Sequence, residues 1–193
     1  HGDTDGLTEQ PFRISCTMTK KGEELTFDFT GSSPQVRGNA NSTFVGTWGD
    51  IFVVLSSQLF WNVSWNGGMF VPVKVIAPEG SIVNCTYPAA CGIGVITSGT
   101  AVTETAHECI AKMLYAGANL EDTTSGWYAF GFGPVMGGIN QYGNRFSGAI
   151  LDGFACGQGG SPLVDGEDTG GEMMSPSSNV SDVEIIELNL PIT

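Results

Sequence analysis

Apolar and polar side chains alternate at the start of the chain. Between residues 11 and 19 every second position is apolar, which is the spacing of a strand with one buried face. These positions are Phe12, Ile14, Cys16 and Met18. A second strand-like run covers residues 24 to 29, and the intervening residues 20 to 23, Lys-Lys-Gly-Glu, have the composition of a tight turn. The pattern predicts a β-hairpin.

Residues 43 to 62 change to a helical spacing. Their apolar side chains recur every three or four positions, as one face of a helix requires, at Phe44, Trp48, Ile51, Leu55 and Leu59. Asp50 is the only charged residue in this segment, so we expect a helix that is buried on most sides. Glycine and polar residues interrupt the roughly 20 apolar positions that a membrane span needs, and we predict no membrane contact.

A second helix is predicted between residues 95 and 114. Its apolar face would comprise Val95 or Ile96, Val102, Ala106, Cys109 or Ile110, Met113 and Leu114. The other face would comprise Glu104, His107, Glu108 and Lys112, the last two spaced for an ion pair. Before this helix, residues 70 to 76 form a strand-like run in which Pro72 indicates a sheet edge. Residues 77 to 80, Ala-Pro-Glu-Gly, have the composition of a type I turn.

The last third of the chain is rich in glycine and has the pattern of β-structure. We expect strands at residues 127 to 132, 145 to 154 and 183 to 190, with a long loop over residues 157 to 181. The elements together predict an α+β fold with mixed, mostly antiparallel strands and two main helices.

We expect residues 1 to 193 to be a single domain, or a fragment of a larger subunit. A hairpin and a polar loop would occupy residues 1 to 42, two helices with an intervening strand residues 43 to 117, and a glycine-rich β region residues 118 to 193. Both ends of the chain look cut from something longer. Only 14% of the residues are charged, against roughly 25% in an average domain, so part of the surface is expected to face other protein.

Charge and cysteine content narrow the classes of function. The formal charge of −13 opposes binding to the phosphate backbone of nucleic acid. The five cysteines, at positions 16, 85, 91, 109 and 156, are an odd number without a C-x-x-C pair, so we expect reduced thiols in a cytoplasmic protein. Asn-x-Ser/Thr triplets leave open a secreted, glycosylated binding module. They begin at Asn41, Asn62, Asn84 and Asn179.

Three short motifs carry candidate chemistry, and two of them have a simpler structural interpretation. Glu104 and His107 lie one helical turn apart, as in half of a di-metal site, but no second half is evident and a solvated helix face is favoured. Residues 92 to 94, Gly-Ile-Gly, would present backbone N–H groups to an anion at the start of the second helix. Residues 165 to 168, Asp-Gly-Glu-Asp, lack the spacing of a calcium loop, so a tight turn is favoured.

The strongest functional signal is the polar loop of residues 31 to 41, directly after the second strand. Gly31, Pro34 and Gly38 keep it from regular structure. It carries Gln35, Arg37, Asn39 and Asn41 within seven positions. Because it has no nucleophile beside a base, the loop by itself would orient a substrate rather than carry out a reaction. An ordinary connection between two elements is the alternative.

Several ordered blocks resemble the hydantoinase B family. They are residues 28 to 39, residues 78 to 84 with 88 to 90, and residues 165 to 168 followed by 182 to 184. That family includes the corresponding parts of ATP-dependent hydantoinases and 5-oxoprolinases, and the large subunits of acetone and acetophenone carboxylases. Residues 137 to 146, Gly-Gly-Ile-Asn-Gln-Tyr-Gly-Asn-Arg-Phe, look more like the ketone carboxylases.

The resemblance implies part of a multi-subunit enzyme. An actin-like, hydantoinase A-type partner would bind ATP with Mg²⁺ and phosphorylate a carbonyl or enolate oxygen, and the B-like unit would handle the activated carbon. A divalent metal, Zn, Mn or Fe, would be bound by a segment upstream in the same subunit and absent from this chain.

The resemblance favours an ATP-dependent ketone carboxylase, in which a phosphorylated enol intermediate reacts with CO₂ derived from bicarbonate. A cyclic-amide hydrolase of the hydantoinase or oxoprolinase type is the alternative, and we expect the isolated chain to be inactive. No catalytic residue or metal ligand is assigned. Polarity and loop position suggest four substrate-binding residues, Asn39, Asn41, Asn140 and Gln141.

Overall fold

A computed structural model describes residues 7, 10 to 124, 135 to 149 and 159 to 166. The chain divides into two units, His1–Gly126 with Ser161–Leu163 and Trp127–Gly160 with Val164–Thr193. The three-part division expected from the sequence stays a prediction. The predicted strands at 127 to 132 and 183 to 190, and most of the loop at 157 to 181, lie outside the described residues.

The predicted hairpin is present in the first unit. Strands β1 (Thr17–Lys21) and β2 (Glu24–Asp28) pair antiparallel through a two-residue turn. Gly22 in that turn has φ +61°, which glycine adopts without strain. The hairpin therefore forms where the Lys-Gly turn indicated.

The first strand starts later than predicted. Residues 11 to 16 lie outside β1 because their backbone bonds to the polar loop instead of to β2. Ser33 N donates to Arg13 O at 2.8 Å, and Ser15 N donates to Ser32 Oγ at 3.1 Å. Phe12 and Ile14 are still buried, so the alternating pattern identified the buried positions but not the extent of the strand.

A third strand completes a mixed sheet. Strand β3 (Val73–Ile76) pairs parallel with β2, giving the order β1-β2-β3 with β3 at the edge that Pro72 indicated. In the second unit, β4 (Val135–Ile139) and β5 (Arg145–Ala149) pair antiparallel. With two helices in the first unit, the predicted α+β class is confirmed.

Helix α1 (Phe44–Gln58) is the predicted first helix. Thr43 caps it by accepting a hydrogen bond from Gly46 N at 3.2 Å. The expectation of burial on most sides is wrong, because Val45 is 76% exposed and Phe44 41% exposed. One face is buried, at Thr47, Asp50, Ile51, Phe52, Val54 and Leu55. The single charge of the helix therefore points into the protein.

Helix α2 (Ser98–Ala116) follows a short 3-10 turn, Gly94–Ile96, and packs against α1. Val102, Ala106, Ile110 and Leu114 are buried as predicted, whereas Val95 and Ile96 are exposed. The expected ion pair joins Lys112 Nζ to Glu108 Oε2 at 3.5 Å on the exposed side. Neither helix is long and apolar enough to span a membrane within the described residues.

Strand β2 and the segment after β3 close the core of the first unit. Phe27 and Phe29 are fully buried, as are Ile82 and Val83. The turn before Ile82 lies one residue later than predicted, because Ser81 N donates to Pro78 O at 3.2 Å. Gly80 has φ +78° there, which is typical of a type II turn rather than type I.

Candidate functional site

Asn41, at the end of the polar loop, is fully buried and forms four hydrogen bonds within the chain. Its Oδ1 accepts from Val36 N at 2.7 Å, and its Nδ2 lies 2.9 Å from both Val36 O and Ala90 O and 3.1 Å from Gly38 O. The amide group of Asn41 therefore connects Val36 and Gly38 of the polar loop to Ala90. These bonds stabilise the loop from within.

The other polar side chains of the loop have separate positions. Gln35 Oε1 accepts from Thr86 N at 2.8 Å, so Gln35 also anchors the segment of residues 85 to 91. Arg37 is exposed. Asn39 is exposed as well, and its side chain lies against Gly92. Asn39, one of the four predicted substrate-binding residues, therefore presents an exposed amide group.

A cavity of about 180 Å³ opens beside the loop. It lies between the end of the loop, the start of α1 and the turn that precedes α2. It is lined by Asn41, Ser42, Thr43, Gly46, Asp50, Cys91, Gly94 and Val95. Among the predicted substrate-binding residues, Asn41 alone belongs to this lining. We call this space the Asp50 cavity.

Asp50 gives the cavity its chemistry. The residue is only 6% exposed, and its Oδ2 atom has no hydrogen-bond partner. Burial raises the pKa of this carboxyl group from 3.8 to about 7, because removing it from water disfavours the charged form. At neutral pH the group is therefore present in both protonation states. It is able to take up a proton or to give one away.

Two glycines allow the close packing around Asp50. A Cβ atom at Gly99, in the first turn of α2, would lie 2.8 Å from Asp50 Oδ2. A Cβ atom at Gly94 would overlap the carbonyl oxygen of Asn41. The carboxyl group thus fits against the start of α2 because Gly99 lacks a side chain, and the end of the polar loop fits against the 3-10 turn because Gly94 lacks one.

The predicted anion site at residues 92 to 94 is wrong for two of its three N–H groups. Ile93 N donates to Asn39 O at 3.0 Å, and Gly94 N donates to Cys91 O at 3.2 Å. These N–H groups satisfy the chain's own carbonyls and do not face an anion. The acidic group beside the start of α2 is instead Asp50, since it lies against Gly99.

The solvated face predicted for Glu104 and His107 is also wrong in part. His107 is fully buried, and its Nε2 lies 3.1 Å from Thr124 Oγ1. Burial lowers the pKa of the imidazole, which favours its neutral form. The described residues contain no group of three or more His, Cys, Asp or Glu side chains that would hold a metal ion.

Asn140 and Gln141 lie in the second unit, in the turn between β4 and β5. Asn140 Oδ1 accepts from Tyr142 N at 3.0 Å and from Asn144 N at 2.9 Å. Gln141 is exposed. The acidic motif at residues 165 to 168 is described only for Asp165 and Gly166. A substrate-binding role for Asn140 and Gln141 stays a prediction.

The sequence pointed to the polar loop, but it did not identify Asp50. One signal was available, since Asp50 is the only charged residue between positions 43 and 62. The apolar repeat through Phe44, Ile51 and Leu59 does not include Asp50. The observed buried face keeps Ile51 but also includes Thr47 and Asp50, whereas Phe44 is exposed.

Comparison with protein families gives a match over nearly the whole chain. The family model described as Hydantoinase B/oxoprolinase matches residues 2–193. A protein of Pseudomonas sp. (strain NS671), described as the B component of a D-/L-hydantoinase, is 33% identical over 120 residues, 58% of this chain and 20% of that protein. The 5-oxoprolinase 1 of Arabidopsis thaliana is 25% identical over 179 residues, 93% of this chain and 13% of that protein.

Two solved structures share the fold. An acetone carboxylase in its nucleotide-free form superposes with a TM-score of 0.82 at 21% identity, over 92% of this chain and 23% of that chain. The ATP-dependent caprolactamase from Pseudomonas jessenii superposes with a TM-score of 0.68 at 22% identity, over 92% of this chain and 30% of that chain. The chain thus spans less than a third of each of these four proteins.

Proposed function

Because the chain belongs to the hydantoinase B/oxoprolinase family, we propose that it is part of an ATP-dependent enzyme that activates a carbonyl group. The activity we propose first is ketone carboxylation, in which a phosphorylated enol reacts with CO₂ derived from bicarbonate. Its support is the block at residues 137 to 146, which looks like the ketone carboxylases and forms the β4-β5 hairpin. The acetone carboxylase has the same fold over 92% of this chain.

The buried carboxyl group of Asp50, whose Oδ2 has no hydrogen-bond partner, is the observation on which the proposed chemistry rests. Carboxylation at the carbon beside a ketone requires that carbon to lose a proton, which produces the enolate that is phosphorylated. A carboxyl group with a pKa near the working pH is well suited to accept that proton. In this proposal, Asp50 accepts the proton at Oδ2 and the Asp50 cavity holds the ketone.

The partner and cofactors that we propose for the enzyme are those that the family resemblance implies. A hydantoinase A-type, actin-like subunit supplies ATP hydrolysis with Mg²⁺, and an upstream segment of the same subunit as this chain supplies the divalent metal. The described residues do not fit that metal, because no three candidate ligands cluster among them. No step of the proposal is therefore assigned to a metal bound by this chain. We further propose a cytoplasmic enzyme.

A cyclic-amide hydrolase is the second candidate. Similarity in sequence to hydantoinase and 5-oxoprolinase proteins favours it. Cleaving a cyclic amide requires a proton for the leaving nitrogen, and Asp50 in its protonated form would donate it. Asp50 thus accepts a proton in the proposed carboxylation and donates one in the proposed hydrolysis.

The structure weighs against the secreted, glycosylated module. Asn41, one of the four triplet asparagines, is fully buried, and its amide nitrogen contacts three carbonyl oxygens. A glycan on that nitrogen would break these bonds.

An isotope experiment separates the two enzyme candidates. The complete protein, purified together with its ATP-using partner, is supplied with ATP, Mg²⁺, ¹³C-bicarbonate and either acetone or a cyclic amide (hydantoin, 5-oxoproline or caprolactam). The carboxylase predicts ATP-dependent transfer of ¹³C into a β-keto acid. ATP-dependent loss of a cyclic amide without bicarbonate supports the hydrolase instead. Absence of both activities in the complete assembly would contradict the proposal.

A further inference from the structure

Two cysteines next to the Asp50 cavity form a dithiol pair. Cys85 Sγ and Cys91 Sγ are 3.2 Å apart, although six positions separate them in the sequence. Both thiols are free, Cys91 is exposed and Cys85 is partly buried. A disulfide requires a sulfur–sulfur distance of about 2.05 Å, so a movement of about 1 Å would join them.

The segment between the two cysteines is fixed to the polar loop at both ends. Cys85 N donates to Ser42 O at 3.0 Å, and Thr86 N donates to Gln35 Oε1 at 2.8 Å. At the other end, Ala90 O accepts from Asn41 Nδ2 at 2.9 Å. Because folding already holds the ends, closing the ring between the thiols loses little further conformational entropy.

We propose that Cys85 and Cys91 form a reversible disulfide in exchange with small-molecule disulfides such as glutathione disulfide. In the first step, one cysteine as its thiolate attacks the glutathione disulfide, forms a mixed disulfide and releases one glutathione thiolate. In the second step, the other cysteine attacks the protein sulfur of the mixed disulfide and releases the second glutathione. The two cysteines lose two electrons and two protons, and glutathione disulfide gains both.

Exposure assigns the order of the two cysteines. Cys91 is exposed and meets the glutathione disulfide first. Burial and a hydrogen bond with Cys91 raise the pKa of the Cys85 thiol to about 11, so Cys85 is a weak first nucleophile at neutral pH. Once Cys91 carries glutathione, Cys85 is held beside it and completes the exchange. Since Cys91 also lines the Asp50 cavity, the disulfide becomes part of the cavity wall.

Peptide mapping tests this proposal directly. Cleavage after glutamate releases residues 80 to 104, a peptide that contains Cys85 and Cys91 and no other cysteine. The purified protein is incubated with glutathione disulfide, blocked with an alkylating agent and digested without reduction. The expected peptide carries no alkyl group and is two hydrogens lighter than the reduced peptide. Dithiothreitol treatment before alkylation restores the doubly alkylated form.

Single variants give the controls. In Cys85→Ser the glutathione adduct on Cys91 should accumulate, because the second step is lost. Cys109→Ser, which removes a cysteine from a different peptide, should leave the reaction unchanged. Double alkylation of the wild-type peptide after oxidation, or a lasting glutathione adduct on it, would overturn the proposal.

Discussion

Two buried polar side chains that line the same cavity differ in the number of their hydrogen-bond partners. Asn41 forms four hydrogen bonds with backbone groups, whereas Asp50 Oδ2 forms none. Both are almost completely shielded from solvent. Folded proteins pair nearly all their buried polar groups, so Asn41 follows the rule and Asp50 departs from it.

The difference separates a residue that stabilises the fold from one that is available to a ligand. A buried carboxyl group without a partner destabilises the folded state, because its desolvation is not compensated. Such a group persists where it has another use, and departures of this kind concentrate at functional sites. Asn41 stabilises the polar loop, and Asp50 is the residue that we propose for proton transfer.

Replacing Asp50 should produce the largest change in activity. Asp50→Asn keeps the shape of the side chain but cannot take up or release the proton, and general acid–base groups contribute about 10²- to 10⁴-fold to rate. We expect kcat of the complete enzyme to fall within that range, with little change in KM. Asp122→Asn, which alters an exposed carboxylate outside the cavity, serves as the matched control and should keep full activity. Equal kcat values in the two variants would remove Asp50 from the chemistry.

Replacing Asn41 should produce the largest change in stability. Asn41→Ala leaves Val36 N and the carbonyl oxygens of Gly38 and Ala90 without their partner. An unsatisfied buried group such as Gly38 O costs about 1–3 kcal/mol, and the partly buried Val36 N and Ala90 O cost less. We expect a free energy of unfolding lower by about 3 kcal/mol, measured by urea denaturation of the complete protein. Asn39→Ala, in the exposed part of the same loop, should change it by less than about 0.5 kcal/mol. A stable Asn41→Ala protein would show that these bonds are dispensable.

The stability of the protein should depend on pH through Asp50. Because the pKa of Asp50 is raised from 3.8 to about 7 on folding, its contribution to stability is complete below pH 4 and is lost as the pH rises towards 7. Each pKa unit corresponds to about 1.4 kcal/mol, so the total is a few kcal/mol. Among the described residues that line the cavity, Cys91 is the only other ionisable one.

Comparing the melting temperatures of wild type and Asp50→Asn measures the contribution of Asp50 ionisation to stability. The melting temperature of Asp50→Asn relative to wild type should rise between pH 5 and pH 8, since the variant has no group to ionise at this position. A constant difference across this range would mean that Asp50 titrates at its ordinary pKa.

The smallest expected effect concerns the exposed side of α2. Removing the Glu108–Lys112 pair by Glu108→Gln should lower stability by about 0.3–0.5 kcal/mol, the usual contribution of such a pair on a helix. The same denaturation experiment in 1 M salt should abolish this difference, because salt screens exposed charges. A loss above 1 kcal/mol would indicate that Glu108 has a second role.

Local patterns predicted the elements of the fold well. The Lys-Gly turn, the edge position indicated by Pro72 and the apolar repeat of α2 were sufficient for β1, β2, β3 and the second helix. Tertiary contacts set the boundaries, which is why residues 11 to 16 bond to the polar loop and not to β2. Strand β4 was missed because Gly137 and Gly138 weaken its β pattern.

The sequence could predict the polar loop but not which residues line the cavity. Polarity alone does not show whether Asn41 bonds to its own backbone or to a ligand. The helical repeats predict His107 on the outer face of α2 and leave Asp50 out of the apolar face of α1, because such a repeat fixes the orientation of a helix only to about one position. Tertiary contacts decide both cases, since Asp50 lies against Gly99 of α2 and His107 lies against Thr124.

The most direct test of the central claim is the pKa of Asp50 itself. The protein is labelled with ¹³C at the aspartate carboxyl carbon, and its NMR signals are followed from pH 3 to pH 9, with Asp50→Asn identifying the signal by its disappearance. Our account predicts a titration midpoint near 7, shifted further when a ligand occupies the Asp50 cavity. A midpoint near 4 would show that the carboxylate is solvated or paired, and would contradict its assignment as the proton-transferring group.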